Sequence, residues 1–112
     1  MRRNQVGRKE VRTKFLLPVS LGEILREEFM SPHGLSANRL AEHLRVPPNR
    51  ISAILKGDRA ITADTALRLA NCFGTTPEFW MNLQVLYELE VAKRMSAKAI
   101  AKAVRPIGPM AA

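Results

Sequence analysis

The sequence has little of what several large classes of protein require. Cys72 is the single cysteine among 112 residues, so no disulfide can form within the chain. Aromatic residues make up only 5%, and strand-like alternation bounded by turn dipeptides is missing, which argues against a β-sandwich. A run of about 18 apolar residues is also missing, so we expect no membrane span. The first residues lack the apolar stretch of a signal peptide, and we therefore expect a cytoplasmic protein.

Groups that perform catalysis or bind metals are scarce as well. His33 and His43 have no Cys, Asp or His partner at the spacing of metal ligands. Cys72 lies beside Phe73 with no His or acid at nucleophile spacing, which favours a packed or half-exposed thiol. The sequence also has no glycine-rich phosphate loop and no catalytic elbow. We therefore expect no enzyme activity, no catalytic residue, no metal and no cofactor.

The positive charge is concentrated at the two ends of the chain. The formal net charge is +8, of which residues 1–14 carry +5 and the segment from Lys93 onward another +5, while residues 15–92 carry −2. Basic ends can hold phosphates or another anionic surface without sequence preference. They can equally be solvated tails, and both interpretations remain open.

Five segments have the periodicity and end signals of α-helices. Their predicted starts are the capping box of Ser20 and Glu23, then Ser36, the Pro47-Pro48 pair, Thr62 and Thr76. Their end signals include Pro32-His33-Gly34, Gly57, Gly74 and, for the last helix, about Val104. The fold class we predict is all-α.

The second and third predicted helices are separated only by Arg45-Val46-Pro47. A turn that short forces a steep crossing, which is typical of a helix-turn-helix, here at about residues 36–56. The outer face of the third helix carries short or hydrogen-bonding side chains that suit base edges and phosphates in a major groove: Pro48, Asn49, Arg50, Ser52, Ala53 and Lys56.

Two stretches of this unit, LSANRLA at residues 35–41 and NRISAILKG at 49–57, resemble the phage-repressor-like (Cro/C1, or Xre) helix-turn-helix family. Three flanking blocks are similar to the HigA antitoxin subfamily: GEILREEF at 22–29, RAITADTALRLA at 59–70 and FWMNLQ at 79–84. The resemblance implies a five-helix Cro/C1-type DNA-binding domain over residues 18–92. We expect a disordered basic arm before it (1–17) and a basic helix extension with a flexible tail after it (93–112).

The resemblance also implies a function. HigA-type antitoxins act as dimers, neutralise a ribosome-dependent mRNA endonuclease of the RelE type called HigB, and repress their own operon. The expected partners are therefore a second copy, an inverted-repeat operator and that toxin. By position, base contacts fall on Pro48, Asn49, Arg50 and Ala53, with Ser52 nearby, and phosphate contacts on Ser36, Arg39, Lys56 and Arg59. A solvated helix face or loop is the alternative for the four basic residues among them.

This chain departs from the family pattern at three positions. Arg45 occupies the turn position that is usually glycine, and a non-glycine residue there costs about 1 kcal/mol if its φ is positive. Pro47 replaces the usual Ser or Thr cap of the recognition helix, which costs roughly 1 kcal/mol. Ser20-Leu21 stands where the family has His-Pro, and this change leaves the helix cap intact.

Two further surfaces remain open from the sequence alone. The stripe Trp80, Leu83, Tyr87 and Val91 on the last helix is either core or dimer interface. The acidic residues of the first helix, Glu23, Glu27 and Glu28, are a solvated face or a surface for a basic toxin. The alternative function is a stand-alone Xre-type repressor with no toxin, and an adjacent gene for a small basic protein would separate the two.

Overall fold

A computed structural model describes residues 18–108, which contain helices and no strand. The predicted basic arm at 1–17 and the last four residues lie outside the described part. The helices are α1 (Leu21–Ile24), which continues directly into a π-helical segment (Leu25–Met30), α2 (Ala37–Leu44), α3 (Pro48–Lys56), α4 (Ala63–Phe73) and α5 (Pro77–Ala103). The predicted all-α, five-helix fold is confirmed. Between residues 18 and 108, no helix has the length and apolar character needed to cross a bilayer.

The helix starts follow from the caps that the sequence contains. In each case a side-chain hydroxyl accepts a hydrogen bond from the backbone N–H three residues later, which satisfies one of the free donors of the first turn. The four caps of this kind are Ser20, Ser36, Thr62 and Thr76, with distances of 3.1 to 3.3 Å. α3 and α4 end at glycines in the left-handed conformation, Gly57 and Gly74. These predicted boundaries are confirmed.

The first helix is not α-helical throughout, which corrects the prediction. From Leu25 to Met30 it is a π-helix, and the N–H of Ser31 donates to the carbonyl of Arg26 five residues earlier at 2.9 Å. The buried residues Leu21, Leu25 and Met30 follow one another at steps of four and five. A step of five matches the wider turn, so this local unwinding carries Met30 into the core.

The centre of the core is an aromatic cluster around Trp80, which is fully buried. Phe29 lies against Trp80 and Phe73, with ring centroids 4.8 and 5.1 Å apart, and Phe79 meets Trp80 edge-on at 5.0 Å. The indole N–H of Trp80 donates to the hydroxyl of Thr75 at 2.7 Å. The cluster therefore joins α5 to the π-helical segment and to the end of α4.

The apolar stripe of α5 faces the core rather than a second copy, at least at its start. Trp80 is fully buried, so the prediction that it belongs to a dimer interface is wrong. Leu83 also packs against the core. Tyr87 and Val91 are half-buried. The apolar side chains exposed on the opposite side of α5 are Val85, Leu86 and Leu89. Periodicity identified the stripe correctly but could not say what covers it.

Two contacts fix the position of α3 and of the loop after it. A Cβ on Gly22 would lie 2.7 Å from the carbonyl oxygen of Ile54 and 2.8 Å from that of Leu55, so α1 packs directly against the backbone of α3. After α3, the side-chain amide of Gln84 accepts from the N–H of Ile61 at 2.7 Å and donates to its carbonyl at 3.1 Å. α5 thereby holds the loop that leads into α4.

Candidate nucleic-acid interface

The turn between α2 and α3 keeps a left-handed residue at the position where the family usually has glycine. Arg45 has φ 61° and ψ 47°, a left-handed conformation, and it is the non-glycine residue with positive φ in the described chain. The N–H of Val46 donates to the carbonyl of Ala41 at 3.0 Å, which closes the end of α2. Pro47 makes no side-chain cap, and Pro48 stands at the start of α3, where a missing N–H costs little. The helix-turn-helix is thus formed in spite of both departures.

α3 buries one face and presents another. Ile51 and Ile54 are in the core. At 100° per residue, the opposite side of the helix carries Asn49, Ser52, Ala53 and Lys56. Asn49 and Lys56 are exposed and Ser52 and Ala53 half-buried, while Pro48 is exposed on one flank. The structure therefore brings Asn49, Ser52 and Ala53 onto one narrow, short-chained surface, which we call the reading face, with Lys56 at its end.

Arg50 is the exception, because it lies on the other flank of α3 and turns toward α4. Its side chain is only 25% exposed, and its Nη1 lies 3.6 Å from Oδ2 of Asp64. The Nε of Arg50 is shielded from solvent and has no hydrogen-bond partner within residues 18–108. Arg50 is therefore placed at the edge of the reading face with its direction set by α4.

The predicted phosphate contacts lie at the ends of the two helices. The hydroxyl of Ser36 caps α2 by accepting from the N–H of Arg39 at 3.1 Å, and the same hydroxyl can also donate a hydrogen bond. Arg39 donates to Glu42 at 3.0 Å in an exposed pair, which is worth so little that a phosphate can replace it. Lys56 and Arg59 are exposed on either side of the Gly57 turn. These positions bracket the reading face.

Two residues of α4 belong to the site but were not predicted from the sequence. The Nε of Arg68 donates to Oδ2 of Asp64 at 2.9 Å, and its Nη1 donates to the carbonyl of Leu44 at 2.9 Å, with the carbonyl of Arg45 at 3.5 Å. Arg68 thus binds the C-terminal carbonyls of α2, at the negative end of that helix. The spacing of four between Asp64 and Arg68 is visible in the sequence, but the link to Leu44, 24 positions away, is not.

The charges around Asp64 act on its own ionisation. The hydrogen bond from Arg68 has the largest effect and lowers the pKa of Asp64. Desolvation comes second and opposes it, and the positive charges of Arg68 and Arg50 lower the pKa by smaller amounts. The carboxylate therefore stays charged at neutral pH. α4 therefore contributes a negative charge beside Arg50 at the edge of the reading face.

Comparisons with known proteins agree with this geometry. A helix-turn-helix family model matches residues 25–80. An addiction module antidote protein of the HigA family from Coxiella burnetii is 56% identical, over 81% of this chain and 99% of its own, with a TM-score of 0.75. HigA of Pseudomonas aeruginosa, solved with the higBA promoter, is 38% identical over 81% and 99%, with a TM-score of 0.76. Antitoxin HigA-1 of Vibrio cholerae is 40% identical over 80% of this chain and 84% of its own length.

The fold and the reading face define an Xre-type helix-turn-helix DNA-binding domain. The three similar proteins named above narrow this class, because each carries the HigA name and this chain covers 84% to 99% of its length. The chain belongs to the HigA antitoxins of the Xre helix-turn-helix family, which is a family of DNA-binding regulators and not of enzymes.

Proposed function

We propose that this protein is an autorepressing antitoxin: it binds an inverted-repeat operator as a homodimer and neutralises a RelE-type mRNA endonuclease, HigB. The observation that carries the DNA-binding part is the reading face of α3, which is narrow, short-chained and bracketed by basic residues. The relative whose structure was solved with the higBA promoter supports the same use of this fold. Each protomer would insert α3 into a major groove, with half-sites about 34 Å apart.

The residues of the interface divide into two proposed roles. Asn49, Ser52 and Ala53 on the reading face, with Pro48 and Arg50 on its flanks, are proposed to contact base edges. The phosphate contacts are proposed to come from the residues that bracket this face: Ser36, Arg39, Lys56 and Arg59. Base contacts specify the sequence, whereas phosphate contacts add affinity for any duplex. The two sets therefore respond differently to substitution.

The proposed dimer uses α5. Val85, Leu86 and Leu89 form an exposed apolar patch on the side of α5 that faces away from the core. Such a patch is typical of a surface that a second copy covers. Tyr87 and Val91 are half-buried on the opposite, core-facing stripe of the helix, so they lie outside this proposed patch. A patch on both protomers gives a two-fold interface, which matches a palindromic operator.

The proposed toxin surface is the outer side of the first helix. Val19 and Ile24 line a shallow groove there together with Glu23, Glu27 and Glu28. This combination of apolar floor and acidic rim suits a basic protein such as a RelE-type toxin. The basic ends of the chain lower the overall attraction, so the groove rather than net charge would supply specificity.

Two measurements test the proposal. The first is fluorescence anisotropy with the duplex from upstream of the gene: Asn49→Ala should cost about 1–3 kcal/mol and relax preference at one position per half-site. Arg39→Ala, its control, should weaken operator and scrambled duplex alike and reduce the salt slope by about 1. Equal losses on both duplexes for Asn49→Ala would contradict base readout.

The second measurement concerns the toxin. Affinity purification of the protein expressed from its native locus should recover a small basic protein near equimolar amounts. Recovery of the homodimer and DNA alone, at adequate expression, would instead favour the stand-alone repressor and remove the toxin from the proposal.

A further inference from the structure

The recognition helix, the turn and α4 are joined by three charged side chains that follow one another in space. Arg50 on α3 meets the carboxylate of Asp64 at 3.6 Å, the same oxygen of Asp64 accepts from Arg68 at 2.9 Å, and Arg68 donates to the carbonyl of Leu44 at 2.9 Å. The first and last of these links cross between helices, whereas the middle one lies within α4. The direction of Arg50 is therefore tied to the end of α2 through two residues of α4.

These contacts by themselves add little to the stability of the fold. The carboxyl side chain of Asp64 is 58% exposed, and its distance to Arg50 is at the long end for an ion pair. Ion pairs exposed to this degree add little to the stability of a fold. A free arginine side chain, by contrast, has many rotamers that it must give up before it can bind in one geometry. The consequence of the Asp64 contact is thus orientation rather than folding energy.

The charge of Asp64 has a second consequence at the same place. Its carboxylate lies beside the one long basic side chain on the flank of the reading face. It neutralises part of that charge while no DNA is bound, and it repels phosphates that approach Arg50 from the side of α4. Both effects disfavour binding of Arg50 to the sugar–phosphate backbone of an arbitrary duplex.

From these contacts we infer that Asp64 and Arg68 are specificity-determining residues that act through Arg50 without touching DNA themselves. Asp64 restrains Arg50 at the edge of the reading face, and Arg68 holds Asp64 in place by joining it to the end of α2. They are positioning residues. The inference rests on the proposed function, since it concerns how the α3 surface distinguishes its operator from other duplexes.

The test compares the affinity for the upstream duplex with that for a scrambled duplex at one salt concentration. Asp64→Asn keeps the shape of the side chain and removes its charge. It should raise affinity for the scrambled duplex and lower the preference for the operator by about tenfold, within the range of one base contact. The melting temperature should change little, which separates positioning from a structural role.

Asp58→Asn is the matched control, because it removes the same charge from an exposed position between Lys56 and Arg59. It should raise the affinity for both duplexes in parallel and leave their ratio unchanged. If Asp64→Asn also left the ratio unchanged, Asp64 would be no more than a surface charge, and the inference would be overturned.

A double-mutant cycle tests the route through Arg50. In an Arg50→Ala background, Asp64→Asn should cause no further loss of preference, whereas an undiminished tenfold loss would show that Asp64 acts independently and would overturn the inference. A wild-type protein that bound both duplexes equally would overturn the proposed function itself, and the inference with it. The experiment thus distinguishes a failure of the inference about Asp64 from a failure of the proposed function.

Discussion

α3 is held on its two sides by different chemistry. On the side of α1, Gly22 lets two backbones meet so closely that even a methyl group would lie 2.7 Å from a carbonyl oxygen. On the side of α4, the contact is made by the long, partly exposed side chains of Arg50 and Arg68 around Asp64. The first contact allows almost no adjustment, and the second allows exchange of partners. The packing of α3 is thus fixed on the side of α1, whereas the side of α4 sets the direction of Arg50.

The largest loss of stability should come from disrupting the contact between α1 and α3. Gly22→Ala places a Cβ against the carbonyls of Ile54 and Leu55, which are backbone atoms and cannot rotate away. We expect a loss of about 3 kcal/mol in the free energy of unfolding, measured by urea denaturation. Gly108→Ala is the control, because a Cβ there would meet open space. A Gly22→Ala protein as stable as the wild type would show that α1 and α3 can separate without cost.

Removing the contacts that Arg68 makes from α4 should cost less stability. Arg68→Met keeps much of the aliphatic packing and removes the donors to Leu44 and Asp64. We expect a loss of about 1 kcal/mol, mostly from the carbonyl of Leu44, since the exposed pair with Asp64 adds little. Arg26→Met on the exposed side of the first helix is the control and should change the unfolding midpoint very little. Equal losses in the two variants would show that Arg68 does not hold the turn.

A substitution in the turn between α2 and α3 separates the contribution of its backbone conformation from that of the Arg68 contacts. Arg45→Gly removes the strain of a left-handed arginine and keeps the carbonyl that faces Arg68. We expect a gain of about 0.5–1 kcal/mol, reduced by the greater freedom of glycine in the unfolded chain. Thermal unfolding measures it, with Arg45→Ala as the control that keeps the strain. A gain of the same size for alanine would assign the effect to charge rather than to backbone conformation.

The smallest effect should be a change in how folding stability depends on pH in the acidic range. The pKa of Asp64 is lowered from its ordinary value of 3.8 by the hydrogen bond and charge of Arg68 and the charge of Arg50. A carboxyl with a depressed folded-state pKa adds stability above its unfolded pKa, and this contribution is lost as pH falls through the folded value. The difference in stability between wild type and Asp64→Asn should therefore be constant from about pH 5 to 8 and shrink below about pH 4. Urea titrations at several pH values would detect it, and a difference that grew toward acid would reverse the assigned sign.

Much of the fold could be predicted because its signals are local. Ser36 and Thr76 cap helices through hydroxyls three residues from their donors, and Gly57 and Gly74 end helices through their own conformation. The family pattern, which usually has glycine at position 45, also pointed to the turn where Arg45 adopts a positive φ. The short-chained surface of α3 was also recognisable, because it depends only on the helical period.

The rest depends on contacts between distant parts of the chain. Trp80 looked like a candidate for a dimer interface, but Phe29 and Phe73 cover it, and no local pattern records that pairing. The π-helical segment likewise ends at Met30, whose burial depends on residues far along the chain. Arg50 appeared free to reach DNA until Asp64, which lies in another helix, was placed beside it. Periodicity predicts a face, whereas tertiary structure decides what that face meets.

The close contact at Gly22 also has a mechanical consequence. Where side chains separate two helices, a rotamer change can absorb a shift of one of them, but where backbones touch, there is no compliant layer between them. We therefore expect the start of α1 and the end of α3 to shift together. Glu23, one residue along the chain from this contact, lines the acidic groove of the first helix. We expect a shift of the first helix at that groove to displace α3 as well, because the two backbones touch at Gly22.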